Sequence, residues 1–145
     1  MWLSSLSEQQ RHAALRLAHN VVVSDGILDP NEEGMLDDFR REMELHDVAE
    51  LEYLELDGIE EIFADRRSRM ILLLNLCKLS YADGAFEIEE ECLLREISKT
   101  FDFSEDDFSL VDNWVKRVCA LEREGIEMME SATWFTLLWT SFNFH

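Results

Sequence analysis

Two acidic strings in this chain have the residue types and spacing to hold a cation. Ser24-Asp25-Gly26-Ile27-Leu28-Asp29 runs into Pro30-Asn31-Glu32-Glu33, and Ala82-Asp83-Gly84-Ala85-Phe86-Glu87 runs into Ile88-Glu89-Glu90-Glu91. In each string an Asp-Gly pair breaks one helix and acidic residues open the next, so an Asp and a Glu reach the same end of a helical hairpin. Their oxygens are hard donors suited to Ca²⁺, Mg²⁺ or Mn²⁺, with water completing the shell; Zn²⁺ favours Cys or His, and neither lies in the strings. Crowded carboxylates repel one another and take up protons more readily, a strain that a cation relieves. The same residues also suit a structural role, because acids in a first turn stabilise a helix by about 0.3–1 kcal/mol each. An EF-hand is excluded: with Gly26 or Gly84 at the sixth loop position, the first ligand would be Val21 or Leu79, which offers no side-chain oxygen.

Other chemistry finds less footing. Paired carboxylates can act as acid and base, but no nucleophile, oxyanion hole or substrate pocket accompanies them in the pattern. No HExxH, GxSxG, phosphate loop or dinucleotide fingerprint is present, so neither an enzyme nor an organic cofactor is expected. His12 and His19 share a helix face, but two turns place them about 10 Å apart, too far to chelate one ion.

The elements that would position the strings follow from capping and periodicity. Ser7-Glu8-Gln9-Gln10 has capping-box spacing and opens a helix predicted to end near Ser24. Asp29 caps the next helix, Pro30 takes its first position and Glu32 completes a second box; Met35, Leu36, Phe39 and Met43 form its apolar face. Residues 47–64 are predicted to form one or two short helices, with Leu51, Leu54, Ile59, Ile62 and Phe63 inward. The run from Arg66 to Ala82 is apolar on nearly every face, as at the centre of a bundle. Further helices are predicted from about Ile88 to Thr100, from Ser104 with Asp107 as box partner, and after Gly125. No alternating strand pattern appears, so the fold class is all-α: one helical domain over 1–145 with about seven or eight helices.

Sliding the chain by 58 positions lays Ser24 on Ala82, Asp25 on Asp83, Gly26 on Gly84, Glu32 on Glu90, Leu36 on Leu94 and Phe39 on Ile97. Repeat halves at about 8–45 and 66–102 would pack about a pseudo-twofold axis. These two strings resemble the TerB-like (tellurite-resistance TerB) family, in which a small residue and Asp-Gly end one helix and a Glu seven positions after the Asp opens the next. The resemblance spans roughly residues 8–120. It implies an all-helical fold with an internal repeat, a link to tellurite and other stress resistance, and clustered acidic residues that bind divalent metal. Related domains occur beside DnaJ-like co-chaperones. The metal ligands carried over are Asp25, Glu32, Asp83 and Glu90, with Asp29 and Glu87 as supporting candidates. Both the capping and the metal reading of these residues stand.

Composition limits the partners. The chain has 145 residues, 32 Asp and Glu against 13 Lys and Arg, and a net charge of −19, which repels nucleic acid and anionic membrane surfaces. A hydrophobic share of 47% supplies a core, while Gly 5 and Pro 1 leave few helix breakers. Cys77, Cys92 and Cys119 are odd in number, form no CxxC and sit among apolar neighbours, as buried thiols of a reducing compartment do. With no secretory signal in Met1–Gln10 and no spanning helix, a cytoplasmic location is expected. The segment 131–145, Ser131 to His145, is rich in aromatics and has no counterpart in the resemblance. It is expected to pack on the bundle or to anchor a protein partner or a second copy. An alternative function is therefore an acidic helical adaptor that docks a basic protein without metal.

Overall fold

The computed structural model describes residues 1–24, 26, 30–48, 51–81 and 88–130. Among these every regular element is helical: a 3-10 turn at Leu3–Ser5, then α1 (Glu8–Val22), α2 (Pro30–Glu42), α3 (Ile59–Ile62), α4 (Arg66–Ser80), α5 (Ile88–Thr100) and α6 (Glu105–Glu130). Local chemistry explains most of the starts. Ser7 Oγ accepts from the Gln10 N–H (3.2 Å) while the Gln10 side chain accepts from the Ser7 N–H (3.0 Å). Ser104 and Asp107 exchange the same pair of bonds, both 3.0 Å, at the head of α6. Asp65 caps α4 by accepting from the Ser68 N–H at 2.9 Å, and these bonds hold its carboxyl below the usual range.

α4 is the central helix, packing on α1, α2, α5 and α6. Leu72, Leu73, Leu76, Cys77 and Leu79 are fully buried on it, which accounts for its apolar residues on nearly every side. α1 in turn packs on both α2 and α5. α2 and α5 stop in the same way. Glu44 and Asp102 take left-handed φ of 59° and 63°, and the Leu45 and Phe103 N–H groups reach back to the Arg40 (2.7 Å) and Ser98 (3.0 Å) carbonyls. This is the Schellman closure, built here without the usual glycine.

The stretch between α2 and α4 holds one short helix, the lower of the expected one or two. α3 is a single turn, and residues 51–58 are irregular. They are held by α1: Asn20 Nδ2 donates to the Leu54 carbonyl (2.7 Å) and its Oδ1 accepts from the Leu54 N–H (3.3 Å), while Arg16 donates to the Glu52 and Tyr53 carbonyls. Side chains replace a helix ladder in satisfying this backbone. Ile59 and Phe63 are buried as expected, and Leu51, Leu54 and Ile62 are partly buried. Arg69 closes the end of the core, donating to the Glu60, Phe63 and Phe101 carbonyls beside an edge-to-face cluster of Phe63, Phe101 and Phe103.

Two expectations are corrected. No break occurs at Gly125: α6 runs unbroken for 26 residues, because one glycine costs a helix only about 1 kcal/mol relative to alanine. Of the three thiols only Cys77 is buried; Cys92 is exposed and Cys119 half-buried. Cys92 falls on the outer side of α5, which apolar sequence neighbours did not reveal.

Candidate metal centre

α1 gives way to the first acidic string through a tight turn. The Gly26 N–H donates to the Val23 carbonyl at 3.0 Å, and Gly26 adopts a φ of 80°, a left-handed conformation that favours glycine. At the corresponding end of α4, the Tyr81 hydroxyl donates to Asp112 on α6. Burial and the Asp112 carboxylate push the phenol's pKa up, so Tyr81 stays a neutral donor that ties the approach to the second string to α6.

Glu32 and Glu90 are both the third residue of their helix, and they are 3% and 2% exposed. Their acidic neighbours Glu33, Glu89 and Glu91 are not buried. The reason lies in helical spacing. Glu32, Leu36, Phe39 and Met43 make one inward seam, and Glu90, Leu94, Ile97 and Phe101 make another; all eight residues are buried. Each seam thus carries a carboxylate where the pattern calls for an apolar side chain. The other third-position partners, Gln10 and Asp107, keep solvent access while forming ordinary capping boxes. Burying an ionised carboxylate costs several kcal/mol before compensation, and the positive end of the helix dipole returns about 2 kcal/mol at most. A position at the mouth of a core seam therefore asks more of its surroundings than a surface cap does.

Asp25, Asp29, Asp83 and Glu87 lie outside the described residues, so of the six proposed ligands the structure places Glu32 and Glu90. Among the described residues no group of three or more His, Cys, Asp or Glu is arranged to hold a metal ion. The donor set of the strings, oxygen alone, fits a hard divalent cation. The seam register is legible in the spacing of 32, 36, 39 and 43, which sets Glu32 one turn before Leu36 on the apolar face.

Residues 55–113 match the model of the family described as tellurite resistance protein TerB. That segment holds α3, α4, α5 and the start of α6, including the second acidic string, and the resemblance to the TerB-like family stands on it. The first string lies outside the matched residues. No curated protein and no solved structure gives a significant match to the chain.

Proposed function

We propose that this chain, TerB-like over residues 55–113, is a non-catalytic accessory protein of a tellurite-resistance-like stress response that binds a divalent cation. Asp25, Glu32, Asp83 and Glu90 are its ligands, supported by Asp29 and Glu87, and Ca²⁺, Mg²⁺ or Mn²⁺ is the cation. The observation that carries the reading is the burial of Glu32 and Glu90 at the heads of matching seams. A cation shared with the Asp of each string would draw on these two carboxyl groups as hard oxygen donors held in place by the seams.

The internal repeat belongs to the same proposal. α1 and α4 are each 15 residues, α2 and α5 each 13, and the starts at 8 and 66 and at 30 and 88 are 58 apart in both pairs. The Schellman closures at Leu45 and Phe103 keep that offset. α1 packs on α2 and α5, while α4 packs on α5 and α2, as a twofold exchange of the halves requires. Such an exchange relates the two strings, giving one shared site or two equivalent ones. A cytoplasmic setting is part of the proposal. Among the described residues, no helix is long and apolar enough to cross a membrane.

The test is a thermal melt of the purified chain with millimolar Ca²⁺ or Mn²⁺. The cation should raise the melting temperature, and the Asp25→Asn, Asp83→Asn double variant should lose that rise. A chain indifferent to every divalent cation would leave the metal-free acidic adaptor as the better account.

A further inference from the structure

α6 outruns the bundle. Its last buried residue is Val115, and its last tie to α4 in sequence is the Lys78–Glu122 ion pair at 2.7 Å. Around and beyond this point the helix exposes apolar side chains: Leu121 is 65% exposed, Met128 51% and, to one side of them, Ile126 46% and Met129 80%. Trp114, Val118, Leu121, Gly125 and Met128 recur at spacings of four, three, four and three, the seam of a paired helix. Val118 and Gly125 are half-buried, and Trp114 is half-buried with its ring against Trp2 (centroids 6.1 Å) and the core, leaving its outer part open.

Gly125 is the smallest residue of that seam and, like Gly34 in α2, sits inside a helix with open space beside it. Among the described residues, a Cβ placed on it would meet nothing within 4 Å.

We propose that this seam pairs with the same seam of a second copy, antiparallel about a twofold axis near residue 120. In that register the Trp114 ring of one copy sits over Gly125 of the other, and Val118 faces Leu121. The twofold repeats both contacts, so the large residue meets the glycine twice and the two medium residues meet twice. The flank agrees in charge. Arg117 and Glu124 border the seam on one side, and antiparallel pairing sets Arg117 of each copy beside Glu124 of the other. Charge also explains why this face rather than another would join copies. Residues 116–130 carry three basic and four acidic side chains, a net of −1 in a chain of −19. Two copies meeting here avoid most of the repulsion that their other faces would bring. This inference is independent of the cation site.

Sedimentation equilibrium of the full chain tests it. A species of twice the chain mass is expected, and Gly125→Leu, which fills the slot for Trp114, should weaken it at least tenfold. Leucine is a better helix former than glycine, so this variant should melt no lower in its monomeric form. Arg117→Glu should also weaken the dimer, and Glu124→Arg added to it should restore the dimer. A wild-type chain that remains monomeric, as it would if residues 131–145 covered the seam, overturns the proposal. So does a dimer that is indifferent to Gly125→Leu, or one that dissolves only when residues 131–145 are removed. An Arg117→Glu defect that Glu124→Arg does not rescue overturns the register.

Discussion

Replacing Glu90 or Glu32 by glutamine keeps the shape of each seam and removes only its charge, so it isolates what the buried carboxylates do for a cation. A modest oxygen site with a Kd of about 0.1–1 mM, at about 5 mM free cation, would stabilise the fold by about 1–2.3 kcal/mol. Unfolding entropy near 2.1 cal/mol/K per residue makes 1 kcal/mol worth about 3 °C in a chain of this length, so the rise should be about 3–7 °C. The assay is far-UV circular dichroism or calorimetry, comparing each protein with cation against chelator. A chain of net charge −19 is stabilised by any added salt, so the chelator sample must carry NaCl at matched ionic strength. Comparing increments, not absolute melting temperatures, removes whatever each substitution does to helix capping. Glu90→Gln and Glu32→Gln should each lose most of the increment. Variants that keep the full rise, or a wild-type rise equalled by NaCl, would refute the ligand role and leave two buried capping carboxylates.

Other consequences concern the frame that holds the site. Asp65→Ala removes the α4 cap and should cost about 1 kcal/mol in urea titrations. Its carboxyl is held below the ordinary range, so the cap's contribution is present above about pH 4 and declines as acid protonates the folded state; the variant should show a smaller loss of stability on acidification. Asn20→Ala strips both bonds from Leu54 and should cost about 2–3 kcal/mol, with faster amide exchange across residues 51–58. His19, whose Nδ1 is buried without a hydrogen bond, has its pKa lowered by burial and by Arg40. The unfolded chain therefore binds the proton more readily, so the His19 contribution is complete above about pH 6.5 and is lost as pH falls below it. Urea midpoints at two pH values on either side should differ less in His19→Asn than in the wild type.

Much of the frame was legible because it rests on local chemistry. The boxes at Ser7–Gln10 and Ser104–Asp107, the Pro30 start and the apolar run from Arg66 are all written within a few residues of one another. What escaped depends on contacts across the chain. Residues 51–58 are irregular because Arg16 and Asn20, more than thirty positions away, take up their backbone groups. The closures at Glu44 and Asp102 use left-handed residues with side chains, where the usual sequence signal is glycine. Gly125 signals a break, yet the helix continues, since a solvated glycine weakens a helix without ending it. At the candidate site, the placement of Glu32 and Glu90 at the heads of helices followed from capping and spacing. Their burial is a tertiary fact, set by the way α2 and α5 lean on α1 and α4.

The central claim is that the acidic strings bind a cation through Asp25, Glu32, Asp83 and Glu90. Mn²⁺ titrated into the purified chain, with free ion followed by electron paramagnetic resonance, reads this directly. Saturable binding at one ion per chain, or two if the strings act separately, should be lost in the Asp25→Asn, Asp83→Asn variant. Binding that does not saturate, or that survives the double change unaltered, would contradict the claim.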